Sequence, residues 1–513
     1  MVRASRQPPA TRTDPVQTVL ACDLGGTSFR AALIDAGGVT IAEAARPTGI
    51  PVAPDGRSEV DPEIWWQALI ACAGDLAEFA PEAFAAVAGI GICGITRSQV
   101  CLDASGAPLG PAITFRDSRA AAGLSGLRER LPPDHPETGQ VNAAHPVARL
   151  AVLPEALRGR LAAVVDPKDD LNRRLTGRVA SDPVSLARLA AAARPGPDGR
   201  SLLQAIGLSD GIVPDLRDPT AAVGPVLRGL PAPLDRLGGR PVFCLCNDTW
   251  AGVLGLGALR PGYAYDLSGT TEVLGLVDDR PLAAPGLMTV DWGVGLHQLG
   301  GPSDNGADTL AWLVDLLGQG GGDIGGALDR LLATPRDPRP LLFLPYLQGE
   351  RVPLWQPQLR GAFLGLDRRH GPADLAWALL EGVAFTNRMV LERAEAAAGR
   401  PVVEVRFGGG GAGSRVWAAI KADILGRPVV TAGTREPGLL GAAIAVWTGL
   451  GRHASLGAAQ AALTGTGLRF DPDPARRTVY EPMFELFRRS VDAVLPVSEA
   501  LGRLRAPSRE SAP

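Results

Sequence analysis

Apolar residues fall in short runs separated by glycine turns, and the runs alternate between strand and helix spacing. Thr18-Val19-Leu20-Ala21-Cys22 is continuous and is followed by Asp23-Leu24-Gly25-Gly26-Thr27-Ser28-Phe29-Arg30, then by Ala31-Ala32-Leu33-Ile34-Asp35. Short apolar runs bounded by glycine predict strands joined by a tight turn. Asp35-Ala36-Gly37-Gly38 predicts the next hairpin, into a strand over 39–42. An amphipathic helix is predicted at about Pro62–Phe79 and a buried strand over Val87–Gly94. The region 165–192 predicts helix, with Leu171, Leu175, Leu186 and Leu189 among its apolar positions. Glycines and prolines crowd 194–240, which predicts loops and short helices. Val242–Cys246 predicts another buried strand, with a helix starting over Thr249–Leu256.

The plan then restarts. Arg260-Pro261-Gly262 marks a boundary. Tyr263-Ala264-Tyr265 leads into Asp266-Leu267-Ser268-Gly269-Thr270-Thr271-Glu272, and Val273-Leu274-Gly275-Leu276 follows. Two strand–turn–strand openings predict two related α/β domains. In such turns glycine lets backbone N–H groups approach phosphate oxygens, and a threonine hydroxyl adds a donor. The alternative phosphate motif G-x-x-x-x-G-K-[ST] is absent, which excludes a Walker-type site. The expected division is a polar, proline-bearing, disordered tail over 1–17, domains over 18–260 and 261–495, and a mostly disordered tail over 496–513. The first tail lacks the apolar core of a signal peptide.

Composition narrows the classes. The chain has 513 residues, enough for two to four domains, and is 46% hydrophobic and 20% charged, as globular proteins are. A net charge of −3 leaves no footprint for nucleic acid or an anionic membrane. No stretch reaches the roughly 18 consecutive apolar residues of a membrane span. Cys22, Cys72, Cys93, Cys101, Cys244 and Cys246 mostly lie in apolar runs and predict reduced core residues of a cytoplasmic protein. Strand alternation would put Cys244 and Cys246 on one face. Lys168 and Lys421 are the only lysines, and this reads as compositional bias rather than function.

Several residues carry candidate chemistry. Asp23 ends the first strand beside its turn, where a carboxylate holds Mg²⁺ near phosphates or caps the turn. Arg30 meets phosphate oxygens or is a surface charge. Asp248 ends an apolar run and starts a helix, which suits a general base for a hydroxyl or a helix N-cap. Phe407-Gly408-Gly409-Gly410-Gly411-Ala412-Gly413-Ser414 lies between a strand and a helix, where a nucleoside approaches closely or a loop simply flexes.

With these pieces placed, the chain resembles the FGGY carbohydrate kinases from about Val19 to about Leu495. Tyr346-Leu347-Gln348-Gly349-Glu350-Arg351-Val352-Pro353, continuing through Arg360-Gly361-Ala362-Phe363-Leu364-Gly365-Leu366, is similar to the family's most specific stretch. Phe115-Arg116-Asp117-Ser118-Arg119 is similar to its "W-x-D-x-R" block, with Phe for Trp. Pro167-Lys168-Asp169-Asp170-Leu171 and Gly438-Leu439-Leu440-Gly441-Ala442-Ala443 also match in order. The resemblance implies two actin-like (ribonuclease H-like, hexokinase and actin superfamily) α/β domains flanking an ATP cleft, the sugar bound mainly by the first. It implies transfer from ATP, with Mg²⁺, to a sugar or polyol hydroxyl. It gives Asp248 the role of catalytic base and Asp23 and Asp248 the metal. It gives Gly25, Gly26, Thr27, Arg30, Gly269, Thr270, Gly409, Gly410 and Gly411 to ATP, and Thr96, Arg97, Asp117 and Asp248 to the substrate.

The substrate loop Ile95-Thr96-Arg97-Ser98-Gln99-Val100 carries neither the Gln-Met-His usual in xylulokinases nor the Gln-Arg-Glu usual in glycerol kinases. The overall character is nearest the pentulose and polyol members, so a ketopentose such as xylulose or a sugar alcohol is the expectation. Glycerol, erythritol, ribulose, hexulose or aldonate are the alternatives, and a homodimer is possible. A silent sugar-binding regulator on the same fold, and an actin- or chaperone-like ATPase with a protein client, are the rivals from other classes. The intact set Asp23, Thr27, Asp248 and Thr270 argues against the first, and the Gly349-Glu350-Arg351-Val352-Pro353 block against the second.

Overall fold

The computed structural model describes residues 3–4, 16–269, 271–319 and 324–505. They form two compact units: one built from the chain up to Gly255 together with 438–463, the other from 256–437 together with the chain from Thr464.

The first unit is organised on a seven-stranded sheet. Its labelled strands are β1 (Thr18–Leu24), β2 (Ser28–Asp35), β3 (Thr40–Pro47), β4 (Val87–Gly94), β5 (Ala222–Pro225) and β6 (Pro241–Phe243), in the spatial order β3-β2-β1-β4-β6-β5. The short strand Arg3–Ala4 adds to the β3 edge. β1, β2 and β3 pair antiparallel, while β4 runs parallel to both β1 and β6. Helix α1 (Pro62–Phe79) covers one face. Asp61 caps its N-terminus by accepting from Glu63 N, and Pro62 supplies a preset φ at the first position. Its buried face, Trp65, Leu69, Cys72 and Leu76, joins Leu20, Cys22, Phe29 and Ile92 in the core.

Between β4 and β5 lies a second cluster built from short helices around Leu127, Val147, Leu189 and Leu202. The region expected as helix over 165–192 is two helices, α2 (Pro167–Thr176) and a shorter one over Ala187–Ala192, with a strand at Ala180–Ser181 between them. Gly177, in the left-handed region at φ 71°, ends α2.

The second unit repeats the plan. Its strands are β7 (Tyr263–Ser268), β8 (Glu272–Asp278), β9 (Met288–Asp291), β10 (His297–Ser303), β11 (Val405–Gly408), β12 (Val429–Ala432) and β13 (Thr466–Phe470), in the order β9-β10-β8-β7-β11-β12-β13. β7, β8 and β10 pair antiparallel, and β11 runs parallel to both β7 and β12. The five-strand core β10-β8-β7-β11-β12 therefore has the same order and directions as β3-β2-β1-β4-β6. Only the outer strands come from different places in the chain.

Helix α3 (Asp248–Gly255) follows β6, and α4 (Pro372–Ala398) and α5 (Arg415–Leu425) pack in the second unit. Helix α6 (Pro437–Gly449) packs on the first unit's sheet, where Val446 lies against Gly91. The last helix, α7, spans Pro474–Arg505 and contains Pro482 and Pro496. It runs past position 496, where the second tail was expected to begin.

Candidate active site

The first Gly-Thr turn joins β1 to β2. Gly25 N donates to Ser28 O (3.0 Å), closing the turn, and Thr48 N donates to Thr27 O (3.1 Å), tying it to the chain after β3. A hollow of about 100 Å³ opens here, lined by Asp23, Gly25, Thr27, Ser28 and Arg30. Four of the expected ATP and metal residues thus share one cavity, and Gly26 lies on the same turn beside Phe115. The carboxylate of Asp23 packs on the first turn of α6, against Gly438. A helix N-terminus favours negative charge.

Asp248 reaches the same end of the sheet through an irregular segment. Val242 pairs with Ile90 and Phe243 with Gly91, but Gly94 pairs with Asn247, one residue beyond the position that register predicts. The extra residue is absorbed at Leu245, whose φ of 53° lies in the left-handed region. Strand alternation is broken there, yet both the Cys244 and Cys246 thiols feel the charges of Lys168 and Asp182. Cys244 packs with Ala180 and Val223, whereas the Cys246 thiol donates to Asp182 Oδ1 (3.2 Å). The slip also starts α3 at Asp248. Asn247 takes the capping role weighed for Asp248, its Oδ1 accepting from Trp250 N (2.9 Å).

Asp248 is half-buried and accepts from Thr249 N (2.6 Å) and Thr249 Oγ1 (3.2 Å). Burial pushes its carboxyl up to about 6, and those hydrogen bonds oppose the shift without cancelling it. Asp23 stands opposite Cys93 in the parallel pairing of β1 and β4. The Cys93 thiol is held well above its ordinary value by burial, then by the charges of Asp23 and Asp248. The structure therefore brings Asp23 and Asp248 to one locus, around a buried thiol.

Behind this locus sits Lys168, which is fully buried. Its Nζ donates to Asp169 Oδ1 (2.5 Å) and Cys244 O (3.4 Å), and pairs with Asp182 Oδ2 (2.9 Å). One ammonium thus joins α2, the bulged segment and the carboxylate that receives Cys246.

The expected substrate residues lie on two loops tied by Arg149. This buried guanidinium donates to the carbonyls of Arg97 and Phe115, the latter at 2.7 Å, and burial pushes its pKa down to about 10. Arg97 is exposed, with φ 59°. Thr96 Oγ1 donates to Ser185 O (3.3 Å). Asp117 was expected at a sugar hydroxyl. In the structure it is 3% exposed, and its oxygens accept from Ser58 N (2.9 Å), Arg119 N (3.1 Å) and Arg119 Nε (3.0 Å). Burial raises its pKa, but those bonds outweigh burial and leave it below the ordinary value.

In the second unit Gly269 N donates to Thr271 O (2.9 Å) and Ala307 N to Gly269 O (3.0 Å). Thr270 lies outside the described residues. The glycine loop after β11 packs directly on this turn. Gly409, at φ 84°, has Ser268 O where a Cβ would stand, and a Cβ on Gly411 would lie 2.5 Å from both Ser268 Oγ and Trp417. Gly410 is exposed, with open space on its Cβ side. Lys421, dismissed with Lys168 as compositional, sits beneath the turn with its ammonium on Asp266, Glu272 and Asn387. The signal in the sequence was the rarity itself: two lysines kept where arginine serves everywhere else.

The matches to known proteins accord with this layout. Residues 18–255 match the N-terminal domain, and residues 264–448 the C-terminal domain, of the FGGY family of carbohydrate kinases. The chain is 30% identical to a xylulose kinase of Escherichia coli, over 93% of this chain and 99% of that one. It is 32% identical to a glycerol kinase of Thermus brockianus, over 92% and 98%. The crystal structure of a gluconate kinase from Lactobacillus acidophilus superposes with a TM-score of 0.82 at 21% identity, covering 95% of this chain and all of that one. The chain belongs to the FGGY family of carbohydrate kinases, enzymes that phosphorylate sugar hydroxyls with ATP as donor. Among the described residues no helix is long and apolar enough to cross a membrane.

Proposed function

We propose that the enzyme transfers the γ-phosphoryl group of ATP to a hydroxyl of a ketopentose such as xylulose, or of a sugar alcohol, with Asp248 as general base. The observation that carries this reading is the placement of Asp248. It is a half-buried carboxyl raised to about 6, at a bulged strand end, sharing a buried thiol neighbour with Asp23. A base of that strength is mostly ionised at neutral pH and still takes a proton readily. The acceptor hydroxyl gives its proton to the Asp248 carboxylate as its oxygen bonds to phosphorus, and ADP leaves.

In this reading Gly25, Gly26, Thr27 and Arg30 are assigned to phosphate oxygens. Gly269 and Thr270 are assigned likewise, and Gly409, Gly410 and Gly411 to the nucleoside. Asp23 and Asp248 would hold Mg²⁺. The fit rests on hard oxygen donors beside a phosphate-sized hollow. Mg²⁺ characteristically takes one or two carboxylates and completes its shell with phosphate oxygens and water. When bound, it neutralises phosphate charge during transfer.

The similarity to the E. coli xylulose kinase over nearly the whole chain supports the pentulose. A second reading, an aldonate, is favoured by the exposed positive charge of Arg97 on its acceptor loop, since guanidinium groups recognise carboxylates well. A coupled ADP-release assay across pentuloses, pentitols, tetritols, hexuloses, glycerol and aldonates tests the reading. The highest kcat/KM should fall on a ketopentose or pentitol. ATP hydrolysis indifferent to every acceptor would overturn it.

A further inference from the structure

Lys421 is fully buried on α5, the helix that follows the glycine loop. Its Nζ donates to Asp266 Oδ2 (2.6 Å), to Glu272 Oε1 and to Asn387 Oδ1 (2.8 Å). An ammonium has three protons, and here each has an acceptor. Two of these acceptors bracket the second Gly-Thr turn: Asp266 lies on β7 before it, and Glu272 opens β8 after it. The third comes from α4. The Phe407 and Trp417 rings flank the same nitrogen, each centroid 4.9 Å away. Phe407 precedes the glycine loop, and Trp417 packs at Gly411. One side chain therefore joins both arms of the turn to both ends of the glycine loop.

The charges are arranged to survive burial. Burial, then the neighbouring Glu272, raises Asp266 well above the ordinary carboxylate range, against the pull of Lys421. The ammonium is paired with both carboxylates and all three of its protons are bonded, and a buried ion pair persists only when so bonded. Arginine cannot substitute. Its planar fork does not offer three donors converging from one atom.

We propose that Lys421 is a positioning residue that fixes the second Gly-Thr turn against the glycine loop, and thereby sets affinity for ATP. This rests on the reading that these two segments take the nucleotide. Misplacing a phosphate-holding turn by about 1 Å is enough to cost orders of magnitude in a positioned reaction.

The test uses the full-length enzyme and three variants. Lys421→Arg keeps the charge. Asn387→Ser removes one acceptor and leaves the ion pair. The triple variant Lys421→Met/Asp266→Asn/Glu272→Gln removes all charge from the cluster, so no carboxylate is stranded. Mg-ADP binding by calorimetry, KM for ATP, KM for the acceptor and thermal melting are measured for each. The triple variant and Lys421→Arg should raise the ADP Kd and the ATP KM about tenfold or more, and Asn387→Ser about threefold. The acceptor KM should stay within about twofold. Cooperatively melting variants that bind ADP as the wild type does would overturn the proposal alone, as would a rise in acceptor KM matching that for ATP. A wild-type enzyme that turns over but binds no ADP would overturn the nucleotide reading, and this proposal with it. If the triple variant does not melt cooperatively, Asn387→Ser decides: an unchanged ATP KM there is fatal.

Discussion

The carboxylate of Asp23 occupies the space that a Cβ on Gly438 would fill. The first turn of α6 can approach this carboxylate only because residue 438 is glycine. Gly438→Ala must therefore displace Asp23, α6 or both. The expected result is a raised Mg²⁺ requirement and roughly tenfold lower kcat/KM for ATP, with acceptor KM unchanged. Asp23→Ala should show the same pattern more completely. Rate measured against Mg²⁺ concentration checks this, and an unaltered profile in either variant would contradict the assignment.

The glycine loop separates packing from ligand approach. A Cβ at Gly411 meets Ser268 and Trp417, whereas one at Gly410 meets open space. Gly411→Ala should lower both thermal stability and ATP affinity, since overpacking costs about 1–3 kcal/mol. Gly410→Ala should raise the ATP KM with its melting temperature unchanged. If both variants behave alike in melting and kinetics, Gly410 does not face the nucleotide.

Much of this was legible in the chain because local and tertiary preferences agree. Pro62–Phe79 has a capping aspartate, a first-position proline and helical spacing, and the helix forms over those residues. Val87–Gly94 is an unbroken apolar run and becomes the central parallel strand. Both Gly-Thr turns announce themselves by glycine and threonine after a strand. The bulge at Leu245 was not legible. A leucine in the left-handed region is imposed by its surroundings and has no local signal. Nor was the course of α7, since Pro482 and Pro496 argue locally for helix ends that packing of Tyr480, Phe484, Phe487 and Val491 overrides. Of the site, the acidic and glycine positions were readable because their chemistry is fixed by residue type. The lysine clusters were not, because their partners are brought together only by the fold.

Arg97 and Asp117 should change which acceptor is used more than how ATP is handled. Arg97 is held through its carbonyl by Arg149, and Asp117 holds the neighbouring loop through Ser58 and Arg119. Losing a buried hydrogen bond that leaves its partner stranded costs about 1–3 kcal/mol, enough to reorder a panel by roughly 5–150-fold. The readout is kcat/KM across the acceptor panel for Arg97→Ala and Asp117→Ala, alongside ATP KM. An untouched acceptor ranking with weakened ATP would place these loops at the wrong ligand.

The acid limb of activity should report Asp248. Its carboxyl titrates near 6, and only the ionised form accepts the acceptor's proton. kcat/KM for the acceptor should therefore be level near neutrality and fall tenfold per unit below about pH 6. A limb near pH 4, typical of an exposed carboxylate, would remove burial as the tuning device.

Asp248→Asn tests the central claim most directly. The amide keeps the shape but cannot take the proton, so turnover should fall by about 10²–10⁴-fold. Calorimetric binding of ADP and of the preferred acceptor should remain within a few-fold of wild type. The ionised carboxyl costs folded stability once pH rises through about 4 to 6, because its folded value is raised, so the variant should melt no lower than wild type at pH 8. A cooperatively folded Asp248→Asn enzyme retaining more than half of wild-type kcat would contradict the account.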